Sequence, residues 1–137
     1  MANTYNLFIS HSWAYGDAYD RLVDLLNARG YFPFRNYSVP KNDPIHNASS
    51  EKALYEAIYR QIKPASVVLI MAGVYSTHSK WINHEIKIAK TEFQTPKRII
   101  AVKPWAQTNV SAVVQEHADE LVGWNTESIV RAIRKWG

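Results

Sequence analysis

The chain contains no cysteine. Disulfides, thiolate metal sites and a cysteine nucleophile are thereby excluded. Glycine is scarce, at five residues in 137. No GxGxxG fingerprint or P-loop can be drawn from those five, which excludes dinucleotide binding through the usual phosphate cradle. No apolar run approaches the roughly 20 residues that cross a bilayer, so no membrane partner is expected. HExxH and the nucleophile elbow are both missing. The five histidines, His11, His46, His78, His84 and His117, follow no metal-ligand spacing, so no metal site is expected. The opening residues, Met1 to Asn6, lack a basic region and run straight into a strand. No signal peptide is therefore expected, and the chain reads as soluble and cytoplasmic.

What is present is the composition of an ordinary globular protein, 47% hydrophobic and 20% charged, of a length that suits a single domain over residues 1–137. A net charge of +4 raises the question of nucleic acid. The basic residues are dispersed, however, and the densest group, Arg131, Arg134 and Lys135, falls on one face of a terminal helix. A solvated helix face explains it, and nucleic acid is not expected as a partner.

Tyr5, Leu7, Phe8 and Ile9 predict a first strand, with Ser10 to Trp13 as the polar loop after it. From Asp17 to Arg29, Ala18, Leu22, Leu25 and Leu26 share one helical face, and Gly30 is the stop signal. Tyr31 to Phe34 predicts a second strand, so the succession is a parallel βαβ unit. Arg35 to Ser50 is irregular and longer than a usual connection. Ser50 caps a helix running to Ile62 with Leu54, Ala57, Ile58 and Ile62 inward, and Pro64 ends it. Arg98 to Lys103 predicts a buried strand, Thr108 to His117 a short helix, and Leu121 to Gly123 a fifth strand. A last helix, capped by Asn125 or Thr126, turns Ile129, Ile133 and Trp136 inward.

The stretch from Ser66 to Phe93 organises the rest. Val67 to Met71 is a β-branched run suited to a strand covered on both faces. Ser76, Thr77 and Ser79 offer N-caps to a helix whose core stripe is Ile82, Ile86, Ala89 and Phe93, closed by Pro96. Glu85 lies about 100° round that helix from Ile86, on the side of Trp81 and Ile88. No lysine or arginine stands three or four residues from it. Two readings are open: a carboxylate at the edge of the stripe reaching water, or one held at the mouth of a cleft with its pKa raised by apolar neighbours.

Five short strands alternating with helices predict a three-layer, doubly wound α/β sheet of mostly parallel strands in the flavodoxin-like order 2-1-3-4-5. Ligands of such sheets bind beyond the carboxyl ends of the strands at the switch in strand order. Here that point lies between the first and third strands, where Ser10 to Trp13, the loop after Arg35, and Ala72 to Glu85 converge. A phospho-receiver needs acids after strand one, where this chain has Ser10, His11 and Ser12. A flavin binder needs a Thr/Ser/Gly-rich phosphate loop there, also missing.

Tyr5-Asn6-Leu7-Phe8-Ile9-Ser10-His11-Ser12 resembles the opening strand of TIR domains. Ser66 to Ile86, with Val-Val-Leu-Ile-Met, Val-Tyr-Ser and Trp81-Ile82-Asn83-His84-Glu85, resembles the strand, Tyr-Ser and Trp-x-x-x-Glu signature of the same superfamily. Leu121 to Asn125 is similar to the last strand of its bacterial branch. The resemblance implies a TIR-like fold and cleavage of the nicotinamide–ribose bond of NAD, which would be substrate and not a resident cofactor, with Glu85 matching the catalytic glutamate. Ser10 and His11 would contact the nicotinamide ribose or the diphosphate, a turn or cap role being equally open. Trp81 would desolvate the carboxylate or simply pack, and Tyr75 would line the cleft or the core. The implied product is a cyclic ADP-ribose-type signal in antiphage defence that activates a partner effector after a phage-derived trigger. The loop from Arg35 to Asn47 corresponds to one that mediates self-association in TIR families, but Lys41 replaces the glycine expected after Pro40. A non-catalytic TIR-like scaffold acting through protein contacts is the alternative.

Overall fold

The computed structural model describes residues 4–10, 18–30, 32–37, 51–71, 80–103 and 112–137. Five strands, β1 (Tyr5–Ile9), β2 (Phe34–Asn36), β3 (Val67–Met71), β4 (Arg98–Val102) and β5 (Glu120–Val122), pair in the order β2-β1-β3-β4-β5. Every pairing is parallel. The connecting helices are α1 (Ala18–Ala28), α2 (Glu51–Ile62), α3 (Lys80–Thr91), α4 (Ala112–His117) and α5 (Thr126–Trp136). This is the doubly wound α/β architecture that the sequence predicts.

Strand alternation sorts the core into two layers. Leu7, Ile9, Val67, Leu69, Ile100 and Val102 face one side, where Leu22 and Leu26 of α1 and Ile129, Val130 and Ile133 of α5 cover them. Phe8, Val68, Ile70, Ile99 and Ala101 face the other, beneath Ile58 and Ile62 of α2, Ile86, Ile88 and Ala89 of α3 and Val114 of α4. Each fully buried aliphatic side chain contributes about 1.5–3 kcal/mol, and the three central strands are apolar on both faces for that reason. In α5, Asn125 is the N-cap, its side chain accepting from the Ser128 N–H at 3.1 Å. Arg131, Arg134 and Lys135 are exposed, as an amphipathic surface helix requires.

Three boundaries differ from expectation. The second strand begins at Phe34 and takes in Arg35 and Asn36, because Gly30 turns the chain at φ 73 and Pro33 has no N–H to pair. Pro33 instead accepts from the Tyr5 N–H at 3.2 Å, and Phe32 stacks on Tyr5 at 5.6 Å. The fifth strand starts at Glu120 and stops before Gly123. The helix α3 stops at Thr91, where the Thr91 hydroxyl donates back to the Lys87 carbonyl and the Lys97 N–H reaches the Ala89 carbonyl. Phe93 therefore falls outside it, but still packs against the layer of Ile86, Ile88 and Ala89 and stacks on Tyr59 at 5.3 Å. Trp136 is only partly buried, its Nε1 donating to Glu120 at 2.8 Å.

Asp119 ties the amino-terminal edge of the sheet to α3. Its carboxylate pairs with Lys90 at 2.5 Å and Arg98 at 3.4 Å and accepts from the Ile99 N–H at 2.8 Å, while its own N–H donates to the Ile99 carbonyl. Burial pushes this carboxyl up, but the Lys90 and Ile99 hydrogen bonds and the Lys90 and Arg98 charges outweigh it and hold the group below the usual 3.8. A depressed carboxylate stabilises the fold above its unfolded value and loses that contribution as pH falls through its folded value. Asp119→Asn is expected to lower unfolding stability by about 1–2 kcal/mol near neutrality, with the gap to wild type closing in urea titrations carried below pH 3.8.

Candidate active site

Among the described residues, two polar side chains are buried: Ser10, 1% exposed, and Glu85, 0% exposed. Both stand among the residues the sequence marks for the cleft. The Ser10 N–H donates to the Leu69 carbonyl at 2.9 Å, extending the β1–β3 ladder one step past Ile9↔Leu69. Two residues beyond Phe8, Ser10 therefore continues the strand face that meets α2 and α3.

Glu85 reaches the same layer from the helix side. It lies five residues into α3, roughly 7 Å along the axis from Lys80, in the half of the helix that follows the carboxyl end of β3. Ile86, Ile88 and Ala89 around it are all buried against β3 and β4. The reading in which this carboxylate reaches water is thus ruled out. Neither Glu85 nor Ser10 stands without a partner, as buried polar groups require. Ser10 stands at the carboxyl end of β1 beside β3, where a doubly wound sheet binds its ligands, and Glu85 lies on the helix that follows β3.

Trp81 falls in the first turn of α3, one turn before Glu85. Its side chain lies outside the described residues, as do His11, Tyr75 and the connection from residue 38 to residue 50. Asn83 is exposed, whereas His84 is half-buried. Its ring meets Tyr55 of α2 edge-on at 5.6 Å, and its Nε2 is buried with no hydrogen-bond partner among the described residues. Burial, and then the charge and hydrogen bond of Glu92, push the Tyr55 hydroxyl above its ordinary value. The α2 stripe read from spacing, Leu54, Ala57, Ile58 and Ile62, passes over Tyr55; the helical spacing of Tyr55 with Ile58, Tyr59 and Ile62 is the signal that could have placed it against α3.

A carboxylate in this setting acts strongly on a cation that forms beside it. Low local dielectric magnifies the attraction, and the fixed position removes the reorganisation that water would need.

The sheet order, the helices on both faces and a buried glutamate on the helix after the third strand define a TIR-like domain. The family model for the Thoeris protein ThsB, TIR-like domain, matches residues 8–109, about three quarters of the chain and a span that includes both Ser10 and Glu85. The chain belongs to that family and is a TIR-like protein of the Thoeris antiphage-defence type. Among curated proteins none matches it.

Replacing Glu85 separates volume from charge. Glu85→Gln keeps the space filled and is expected to lower stability by no more than about 1 kcal/mol, whereas Glu85→Ala opens a void near Ile86 and Ala89 and costs about 2–3 kcal/mol. Denaturant midpoints of the two variants beside wild type check this, and equal losses would mean that the residue does not fill the layer.

Proposed function

We propose that this chain is an enzyme that cleaves the nicotinamide–ribose bond of NAD, with Glu85 as its catalytic carboxylate, and converts the rest to a cyclic ADP-ribose-type signal for a partner effector. The observation that carries the reading is a glutamate wholly withdrawn from water at the switch point of the sheet. A purely structural role would be served at lower cost by an apolar side chain there, because desolvating a carboxylate costs several kcal/mol.

The chemistry needs only one such group. As the C1′–N bond of NAD breaks, its electron pair goes to the pyridinium nitrogen, and nicotinamide leaves neutral without protonation. Positive charge builds on the ribose, as in glycoside hydrolysis, and an anion on one face stabilises that oxocarbenium-like state. In this reading Ser10, buried at the end of β1, contacts the same ribose or the diphosphate. Water attacking C1′ gives ADP-ribose and a proton; attack by a nucleophile of the substrate's own ADP portion also releases a proton and gives a cyclic ADP-ribose, lighter than ADP-ribose by one water. Exclusion of water selects the second outcome. The effector and a phage-derived trigger belong to this reading as partners.

Mass spectrometry of small molecules from cells expressing the chain, with and without phage challenge, tests it beside Glu85→Gln. The expected result is a nucleotide at the mass of ADP-ribose or at that mass less one water, reduced at least about a hundredfold in the variant. If challenged cells make none while both proteins hold the same partner, the chain is a scaffold and Glu85 is not catalytic.

A further inference from the structure

A cavity of about 270 Å³ opens on the outer side of α3, lined by Asn83, Ile86, Lys87, Lys90, Thr91 and His117. Asn83, Lys87, Lys90 and Thr91 recur at three- and four-residue intervals and make one stripe of the helix. Asn83 and Lys87 each stand two residues from Glu85, about 200° round the helix. The stripe is therefore turned away from the carboxylate. His117, last residue of α4, closes the cavity on the other side, and Ile86, 5% exposed, gives it an apolar floor.

Most of its wall is apolar, and among the described residues that line it are two lysines, a carboxamide and an imidazole, with no carboxylate. Lys90 gives one N–H to Asp119, which leaves two of its three donors. That aspartate is itself fully engaged by Arg98 and the Ile99 N–H. The Lys87 ammonium lies 5.7 Å from the Tyr55 ring centroid, at the outer limit of cation–π attraction. The Thr91 hydroxyl is spent on the Lys87 carbonyl and contributes only surface.

We propose that this cavity binds a small organic anion, a phosphate or carboxylate headgroup on a compact apolar body that rests on Ile86. Its volume sits just under the roughly 300 Å³ at which small-molecule pockets begin, so a whole dinucleotide is too large for it. The cavity lies on the face of α3 turned away from Glu85 and extends toward the amino-terminal edge of the sheet, where Lys90 meets Asp119 beside the start of β4. The proposal therefore does not depend on the enzymatic reading. A bound anion would contact the helix that carries Glu85 from its opposite face.

Titrating the ¹⁵N-labelled chain separately with phenyl phosphate, benzoate and neutral benzyl alcohol reads binding without turnover. Amide shifts are expected at Asn83, Lys87, Thr91 and His117, saturating with a Kd on the order of millimolar, for one or both anions and not for the alcohol. The anion that binds more tightly identifies the headgroup. Lys87→Glu, checked by its thermal midpoint for an intact fold, should weaken binding by about tenfold or more, and Arg131→Glu on α5 should leave it unchanged. Equal binding of benzyl alcohol, shifts confined to α5, an unchanged Kd in Lys87→Glu, or no saturable shift with either anion would overturn the proposal.

Discussion

Withdrawing the Glu85 carboxylate from water costs several kcal/mol, and the way the chain meets that cost organises the structure around it. Ile86, Ile88 and Ala89 press α3 against Val68, Ile70, Ile99 and Ala101, and burial of these aliphatic groups offsets the penalty. Without so apolar a layer the helix would turn its carboxylate outward. With it, the acid is carried inward by neighbours one, three and four residues away. A charged group held in this way is an arrangement in which local chemistry opposes the general rule of the fold, and such conflicts concentrate at functional sites.

The two faces of the sheet divide the work. Opposite Glu85, Leu7, Ile9, Val67, Leu69, Ile100 and Val102 form an apolar bed for α1 and α5, and the Arg29–Glu127 pair at 2.6 Å joins those helices at the surface. A surface pair adds little energy, so that side is held mainly by packing, with the Trp136–Glu120 hydrogen bond beside it. The face with α2 and α3 carries both buried polar groups and needs a firmer anchor. It has one in Asp119, which grips Lys90 near the end of α3 and the first residues of β4 together. Fixing the far end of the helix against the sheet restricts how the turns bearing Glu85 can move.

Much of this was legible in the residues. The β-branched runs of β3 and β4 show buried strands wherever they are placed, because no exposed strand tolerates an unbroken apolar series, and their alternation with helical stripes left few topologies open. What spacing could not show was which side of the α3 stripe faces the core. Ile82, Ile86, Ala89 and Phe93 define one stripe and Trp81, Glu85 and Ile88 its neighbour, and the two differ by only about 100°. Burial of Ile88 and Glu85 together with Ile86 and Ala89 shows that both stripes face the core, and Phe93, though beyond the helix's stop at Thr91, packs on the same layer. The start of β2 was obscured in a different way, since aromatic Phe32 and Phe34 both look like strand residues and only the pairing of Tyr5 with Phe34 tells them apart. The side chains of His11, Tyr75 and Trp81 lie outside the described residues.

A buried acid raises an electrostatic question for any site meant to receive a diphosphate. A glutamate at 0% exposure stands back from the surface, but its field is screened less inside the protein than it would be in water, so attraction of such a ligand has to come from other groups. The approach is then governed by the surface, and the chain carries 16 lysines and arginines against 12 acids. That excess favours collection of anions. The dispersal of those cations, which argues against a nucleic-acid groove, suits a ligand of a few charges, because no long track of phosphates has to be matched. Enclosure of the one anion that the proposed chemistry needs, inside a protein whose surface is net cationic, lets the same molecule attract a negatively charged substrate and stabilise a positively charged transition state.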